Sequence, residues 1–456
     1  MIVIGLVIVY LLGLSVLIAF MGKDDELSIR IEELAGLSFL IGIGLETVFM
    51  FIFDLIHLEI NAFTLATLSL LIVTAIYFYH RDTIQGLFNK IPGNYRFHFK
   101  ETNFAWGILF LTVLIALCVS VLKSLFWTTA AYDSIAGYDL MGKVIATEGK
   151  LFVSLFKTGS SGGRAIYPPL VEGSFAYAYL YGMDSSKIIT SLTYLSLLLA
   201  FYGLSRKYAS SLNAIFFTLL LIVTPEMYSH SSMSLTNIPS AAYAAIGLLY
   251  LFIWFEKKQR YYFYVASLLL ALNVWTRNDG IVFNMAGFLL MVYYAIKNKS
   301  WKEIAIYSAI SLAPFVGWTI YLKYKIGIVH DRFVTHLFWD SDRLLRELRW
   351  IKSITFYLMF YGLVFYIFIF TIVLNFRNVH RDKFALLTLI LISFILYAGI
   401  YYQLDEVKQD PLDIMMSYSF KRGLFYFIPL VLFYSATCKP VQLFFEKIEQ
   451  FRLGKT

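Results

Sequence analysis

The chain has 456 residues, of which 59% are hydrophobic and only 15% are charged. A water-soluble domain of this size could not cover so much apolar surface with a polar shell, so the composition excludes an ordinary soluble protein. The net charge of +8 does not indicate nucleic-acid binding, because many basic residues lie beside long apolar segments, where anionic lipid headgroups explain them better. We therefore expect membrane lipids as partners and no nucleic acid.

Long apolar segments recur along the whole chain. A helix that crosses the hydrocarbon core needs about 20 mainly apolar residues, and its backbone satisfies its own hydrogen bonds inside the bilayer. The pattern therefore predicts an all-α polytopic membrane protein with about 13 transmembrane helices. The predicted spans are 1–21, 34–57, 62–79, 104–127, 188–204, 211–229, 238–255, 261–276, 281–296, 304–321, 353–374, 384–402 and 423–437.

Basic residues of the short connectors collect on alternate connectors, which the positive-inside rule places in the cytoplasm. This distribution predicts a multi-pass protein of the cell membrane, with the N-terminus outside and the C-terminus cytoplasmic. The first segment lacks a basic start and a small-residue cleavage site, so it is expected to be a retained span. Residues 1–103 are predicted to form a three-span extension with a cytoplasmic loop, 104–437 the main transmembrane module, and 438–456 a cytoplasmic tail.

Three connectors on the predicted outer side, 128–187, 322–352 and 403–422, are much longer than a crossing requires. Long loops of compact proteins tend to carry binding and catalytic residues. The sequence contains no Walker loop, no dinucleotide-binding turn and no HExxH zinc motif, so ATP hydrolysis is not expected. Function is therefore expected on the outer face.

The first outer loop carries two carboxylates near the membrane edge. Asp133 stands at the exit of the fourth span, and Asp139 follows six residues later, which on a helix corresponds to about 240° of rotation. The two should therefore not share a helix face. Asp139 is four residues from Lys143, a spacing that suits a surface ion pair as well as a binding role. Asp133 has no such partner and is either a helix N-cap or a reactive carboxylate.

Further along the first loop, residues 159–163 read Gly-Ser-Ser-Gly-Gly, and Tyr167 with two prolines follows. Glycine and serine give a flexible segment, whereas the prolines impose an extended path. This combination indicates either a mobile flap or an ordinary loop that enters a short helix near 172–182.

A cation and an anion occupy the tight turn of residues 277–280. A helix stop explains the asparagine and the glycine of this turn, but not the choice of both Arg277 and Asp279. Ionisable groups at membrane depth usually face a cavity or each other. Both a functional and a structural role therefore remain open for this pair.

The other two outer loops supply further basic residues. The second contains His330 and Arg332, and then arginines at every third position from Arg343 to Arg349, which lie along one side of a helix if the segment is helical. Such a stripe suits either lipid headgroups or a phosphate. The third loop ends at Arg422, which either reaches into the bundle or extends outward to headgroups.

These features, in this order, resemble the polytopic GT-C glycosyltransferases, which use polyprenyl-phosphate sugars and include the protein mannosyltransferase and aminoarabinose transferase families. The resemblance covers roughly residues 104–430. It rests on Asp133, Tyr138 and Lys143, on Tyr167-Pro168-Pro169-Leu170, on Thr276-Arg277-Asn278-Asp279-Gly280, and on Arg422 before a proline-containing span. The chain departs from the family where an Ala-Asp-x-Pro element often opens a middle span, because it has Thr236-Asn237-Ile238-Pro239 there.

The resemblance implies a GT-C-like fold and an inverting transfer of a sugar from a polyprenyl-phosphate donor to an acceptor hydroxyl. It also implies that Asp133 is the catalytic base. The acceptor is a glycan, a lipid or a protein; no cofactor is required and no metal ion is predicted. Arginine suits the departing phosphate because its planar fork makes bidentate contacts. The predicted substrate-binding residues are Asp139, Lys143, Tyr167, Arg277, Asp279, His330, Arg332 and Arg422.

Two other functions remain open. A transporter or flippase of lipid-linked sugars is expected to carry ionisable residues deep within several spans and an internal repeat, whereas the charges here cluster at the span ends. An O-antigen-type polymerase or ligase would also have large outer loops and would differ by its pyrophosphate-linked donor.

Overall fold

The computed structural model describes residues 1–21, 29–81, 83–84, 104–154, 167–327, 337–404 and 411–452. Within these ranges the chain is helical and contains no strand, which confirms the predicted all-α class. The helices up to the middle of the chain are α1 (Ile2–Phe20), α2 (Ile31–Leu55), α3 (Ala62–Tyr79), α4 (Phe104–Phe126), α5 (Asp139–Glu148), α6 (Leu170–Leu180), α7 (Lys187–Ser205), α8 (Ser211–Ile222), α9 (Pro225–His230) and α10 (Asn237–Lys257).

The later helices are α11 (Arg260–Thr276), α12 (Ile281–Asn298), α13 (Lys302–Tyr321), α14 (Ser341–Thr355), α15 (Leu358–Tyr361), α16 (Val364–Leu374), α17 (Phe384–Gln403), α18 (Leu412–Met415), α19 (Lys421–Gly423), α20 (Ile428–Thr437) and α21 (Lys439–Arg452). Nine helical segments of the described chain are long and apolar enough to cross a membrane, or ten if α20 and α21, bent by 63°, form one span. The nine include α1 to α4, α7, α10 and α17, together with Asn278–Asn298 and Lys302–Ile326. The chain is therefore a multi-pass membrane protein.

Four of the predicted spans are short or broken, so the count of thirteen stays a prediction. The segment 211–229 ends its first helix before Pro225, which has no N–H group and holds Thr224 in an extended conformation. The segment 353–374 is interrupted at Gly362, whose φ is +56°. The other two predicted spans, 261–276 and 423–437, contain the short helices α11, of 17 residues, and α20, of 10 residues.

The centre of the bundle contains α2, α10 and α11. The most apolar window of α10 is 94% buried and that of α2 is 78% buried, against 11% for α3 and α4, which therefore lie at the periphery of the described bundle. The Tyr243 hydroxyl donates to the Leu40 carbonyl oxygen at 2.6 Å and joins α10 to α2. The indole N–H of Trp275 donates to the Thr47 hydroxyl at 3.2 Å and joins α11 to α2. Thus α2 packs among helices of the main transmembrane module.

Two glycines allow α1 and α2 to pack closely. A Cβ atom added at Gly13 would clash with the carbonyl oxygen of Ser38, and one added at Gly42 would clash with that of Val9. Small residues commonly allow the backbones of membrane helices to approach each other in this way. The contact between the first two helices therefore depends on both glycines.

We expect Gly42→Ala to destabilise the folded protein, because the methyl group fits only if α1 and α2 separate. Overpacking of this kind reduces stability by roughly 1–3 kcal/mol, and thermal unfolding in detergent measures it. Gly107→Ala is the matched control, because nothing lies within 4 Å of its added Cβ on α4. If both variants melt like the wild type, the close α1–α2 contact is absent in solution.

The arginine-rich segment of the loop 322–352 contains α14. The carboxylate of Asp340 caps this helix by accepting two backbone N–H groups of the first turn, at 2.9 and 3.2 Å. Arg343 is buried and donates to two carbonyl oxygens at the end of α17, at 3.2 and 2.7 Å. Arg346 and Arg349 are exposed. Only two of the three arginines of the predicted stripe therefore face outward, and the third holds α14 against α17.

Glu347 makes the stability of this region dependent on pH. Its side chain is 2% exposed, and burial raises the pKa of its carboxyl to about 7, with Arg343 acting in the opposite direction. The unfolded pKa is about 4.3. A carboxyl whose pKa rises on folding gives stability that is fully present below the unfolded pKa and is lost as the pH rises through the folded value.

We therefore expect Glu347→Gln to raise the melting temperature at pH 8 but not at pH 4. The gain in unfolding free energy should be on the order of 3–4 kcal/mol, since one pKa unit corresponds to about 1.4 kcal/mol. Thermal unfolding at the two pH values measures it. Asp342→Asn, at an exposed carboxylate of the same helix, should show no such difference. If Glu347→Gln changes the melting temperature equally at both pH values, the pKa of Glu347 is not raised on folding.

Candidate functional site

Asp133 and Arg422 form an ion pair at one end of the bundle. Asp133 lies between α4 and the π-helical turn Ser134–Tyr138, and Arg422 lies in α19, just before α20. Arg422 Nη1 is 2.9 Å from Asp133 Oδ2, although 289 residues separate them in sequence. The side chain of Arg422 is 25% exposed and that of Asp133 is 35% exposed, so a ligand can reach both. Arg422 is thus directed towards the segment that follows α4.

A second ion pair and a histidine lie beside this contact. Arg422 Nε donates to the Tyr418 carbonyl oxygen at 3.2 Å, which orients the guanidinium. The neighbouring Lys421 lies 2.6 Å from the carboxylate of Glu226 at the start of α9. His230, at the end of α9, is buried, and this burial lowers the pKa of its imidazole. Both cations of α19 are therefore held by carboxylates from distant segments.

The turn between α11 and α12 forms a second cluster. Arg277 Nε donates to Asp279 Oδ1 at 3.1 Å, and Arg277 Nη1 donates to the Thr236 hydroxyl at 3.3 Å. The Tyr426 hydroxyl lies 3.4 Å from both carboxylate oxygens of Asp279. Burial acts to lower the pKa of Arg277, but Asp279 and the nearby tyrosines outweigh it and raise the pKa above its ordinary range. Arg277 therefore carries a full positive charge.

Two tyrosines of the loop 128–187 extend this cluster. The ring centroids of Tyr138 and Tyr167 are 6.3 Å apart, and the Tyr167 centroid is 6.0 Å from Arg277 Cζ. Burial raises the pKa of Tyr138 above its ordinary value, so its phenol stays protonated at neutral pH. Tyr167, one of the predicted binding residues, thus lies next to Arg277.

The two clusters share the same pair of chain segments. Asp133 directly precedes the π-helical turn that ends with Tyr138, while Arg422 and Tyr426 lie four residues apart at the start of the last apolar segment. Arg422 contacts the first carboxylate, and Tyr426 contacts Asp279 of the second cluster. The two ion pairs therefore border one site, which we call the rim site.

Asp139 has a different surrounding. Its carboxylate accepts hydrogen bonds from the Tyr179 hydroxyl at 2.8 Å and from the Ser186 hydroxyl. These contacts join the start of α5 to α6 and to the segment before α7. Lys143 is exposed, and in the described structure no ion pair joins it to Asp139. The predicted spacing of four residues therefore does not produce the surface pair it suggested.

Three features predicted from the sequence lie outside the described residues: His330, Arg332 and the glycine-rich segment 159–163. Within the described ranges, no group of three or more His, Cys, Asp and Glu side chains could hold a metal ion. The cations at the described rim site are arginine and lysine side chains.

Sequence reasoning did not select Glu226, Lys421, Thr236 or Tyr426. Thr236 precedes the position at which the resembled family often has an aspartate, and its hydroxyl accepts a hydrogen bond from Arg277. Lys421 adjoins Arg422 in a basic dipeptide that was visible in the sequence. Glu226 and Tyr426 had no local signal, because their partners are remote in sequence.

Comparison with known proteins found no family model, no curated protein and no solved structure that matches this chain. The resemblance to GT-C enzymes therefore stays a prediction from the residues quoted above. Any functional assignment has to rest on the geometry of the rim site.

Proposed function

We propose that the protein is an inverting glycosyltransferase that moves a sugar from a polyprenyl-phosphate donor to an acceptor hydroxyl. The observation that carries this proposal is the contact between Asp133 and Arg422 at one end of a bundle of apolar helices, with Tyr426, four residues after Arg422, in contact with Asp279 of the Arg277–Asp279 pair. Such a site combines a carboxylate that can accept a proton with guanidinium groups that can bind a phosphate. Both requirements follow from the chemistry of a lipid-phosphate sugar.

Asp133 is the base in this proposal. Its partly exposed carboxylate accepts the proton of the acceptor hydroxyl, whose oxygen forms a bond to the anomeric carbon. The bond between that carbon and the phosphate oxygen breaks, and the electron pair stays on the phosphate. One direct displacement inverts the anomeric carbon and needs only this carboxylate.

Arg422 binds the donor phosphate. When the sugar leaves, a phosphodiester becomes a phosphomonoester and gains negative charge, so a cation placed there stabilises the transition state more than the ground state. Arg422 Nη1 contacts Asp133 and Nε is bonded to the backbone, while Nη2 has no hydrogen-bond partner among the described residues. That nitrogen is available to a phosphate oxygen while the contact with Asp133 is kept.

Arg277 organises the other side of the rim site. Its guanidinium is held by Asp279 and Thr236, and Asp279 is in turn contacted by Tyr426. This network keeps a permanent positive charge close to Tyr167, whose ring offers a surface on which a sugar can stack. We assign Arg277 and Tyr167 to binding of the donor sugar phosphate.

The rim site is assigned to the outer face of the cell membrane. Ser134, the neighbour of Asp133, and Lys187, the first residue of α7, line one pocket, whereas the basic pair Arg206-Lys207 follows the other end of this helix, about 28 Å away for 19 residues. The positive-inside rule assigns that basic end to the cytoplasm. The proposed orientation has the N-terminus outside, the C-terminus inside and a GT-C-like arrangement of spans.

The test is a transfer assay with the purified full-length protein and a panel of polyprenyl-phosphate and polyprenyl-pyrophosphate sugars. Products are separated by mass, and α- and β-linked products are distinguished by glycosidases. Transfer from a phosphate-linked donor with inversion is the expected result. Transfer only from pyrophosphate-linked donors would instead identify a polymerase or ligase. Translocation of the lipid-linked sugar across proteoliposomes without transfer would identify a flippase.

A further inference from the structure

A pocket with a mostly apolar wall that includes two lysines lies beside the rim site and uses none of its residues. Its volume is about 240 Å³, and it lies between the end of α4, the start of α7 and the segment that follows α9. Its polar lining includes the side chains of Lys123, Lys187, Thr128, Thr129 and Ser232. We call it the lysine pocket.

The two lysines give the lysine pocket a positive charge. Lys187 is 3% exposed and its ammonium group donates to the carbonyl oxygen of Trp127, which leaves two N–H groups for a ligand. The Lys123 ammonium lies 5.2 Å from the centroid of the Trp127 ring. Neither lysine forms an ion pair with a described acidic side chain, although Asp139 interacts electrostatically with Lys187. Asp139 is therefore an electrostatic partner of Lys187 without forming an ion-pair contact with it.

Hydroxyl groups complete the lysine pocket. The side chains of Thr128, Thr129 and Ser232 have no hydrogen-bond partner in the part of the chain that the structure describes. The lysine pocket therefore presents ammonium and hydroxyl donors together, and no described carboxylate forms part of its wall.

We propose that the lysine pocket binds a phosphate group, carried either by a membrane lipid or by a soluble phosphorylated ligand. Two ammonium groups match the double charge of a phosphomonoester, and the surrounding hydroxyls suit its several acceptor oxygens. Ser134 also lines the pocket and directly follows Asp133, so the bound phosphate anchors its ligand next to the rim site. This site goes beyond the proposed sugar transfer and does not depend on it.

Equilibrium dialysis of the purified full-length protein tests the proposal with two radiolabelled probes. Glycerol 3-phosphate is a soluble phosphomonoester, and dihexanoyl phosphatidic acid carries the same group on a lipid. We expect Lys123→Gln to weaken binding at least tenfold and Lys123→Arg to retain it. Thr129→Val, which removes one hydroxyl at nearly constant shape, should weaken it about threefold. Lys150→Gln is the matched control, because Lys150 does not line the lysine pocket and its side chain is 53% exposed.

Binding of both probes with this dependence on Lys123 shows that the phosphate group alone is recognised. Binding of phosphatidic acid alone, with the same dependence, identifies a lipid headgroup as the ligand. The proposal is overturned if the wild type binds neither probe, or if Lys123→Gln and Thr129→Val bind as tightly as Lys150→Gln. Because binding is measured directly, absence of sugar transfer does not affect the outcome, and absence of phosphate binding leaves the transfer proposal intact.

Discussion

Replacing Asp133 by asparagine should lower the rate of sugar transfer by at least two orders of magnitude and leave the fold intact. Asparagine keeps the shape of the side chain but cannot accept the proton of the acceptor hydroxyl, and a general base contributes about 10²- to 10⁴-fold. The stability should change by about 1 kcal/mol or less, because the ion pair with Arg422 is partly exposed. Initial rates at saturating donor, together with thermal unfolding, measure the two effects.

Two further variants separate chemistry from binding. Arg422→Gln should raise the KM for the donor as well as lower kcat, because it removes a charge that contacts the phosphate. Asp342→Asn, at an exposed carboxylate of α14, should keep the wild-type rate. If Asp133→Asn is fully active while correctly folded, Asp133 is not the base, and the rim site loses the residue on which the transferase proposal depends.

The helical class was predictable because a long apolar run can only be a helix inside a bilayer. The breaks were harder to predict, since hydrophobicity alone does not distinguish a straight span from an interrupted one. Pro225 and Gly362 are both visible in the sequence as local signals, but each lies in a segment apolar enough to suggest continuity. In the structure α9 begins at Pro225 and α15 ends before Gly362, and Glu226, next to Pro225, pairs with Lys421 beside Arg422.

The sequence predicted only those residues of the rim site whose order along the chain matched that of the resembled family. Asp133 and Arg422 were proposed as parts of one site, and the structure places them in contact across 289 residues. The role of Asp139 was not predictable from its spacing, because its hydrogen-bond partners Tyr179 and Ser186 belong to later segments. Local spacing indicates helix neighbours, whereas partners between segments depend on how the bundle packs.

The structure also shows how charge is balanced where the chain has Asn237 and not the aspartate of the resembled family. In the resembled family an aspartate often stands at this position, whereas here the neutral Asn237 follows Thr236. The structure pairs the cation of Arg277 with Asp279 and with the Thr236 hydroxyl. A carboxylate two residues away from the arginine therefore balances its charge, and the rim site needs no acidic group at position 237.

The largest loss of stability is expected from Lys207→Met, at the opposite end of α7. Lys207 Nζ lies 2.8 Å from Glu33, and the two side chains are 3% and 0% exposed. The Tyr262 hydroxyl lies 3.0 Å from Lys207 Nζ, and the Tyr250 hydroxyl donates to Glu33. Removing the lysine leaves a buried carboxylate without its cation, which destabilises a protein by roughly 3–5 kcal/mol. Thermal unfolding in detergent should show a correspondingly lower melting temperature.

A double variant shows whether the unpaired charge is the cause. Glu33→Gln together with Lys207→Met removes both charges at similar volume and should recover most of the lost stability, since a buried ion pair adds little net stability by itself. Lys383→Met is the matched control: its 3.0 Å pair with Glu256 is more exposed, so it should cost about 1 kcal/mol or less. A double variant no more stable than Lys207→Met would show that packing around the lysine, and not the buried charge of Glu33, determines the loss.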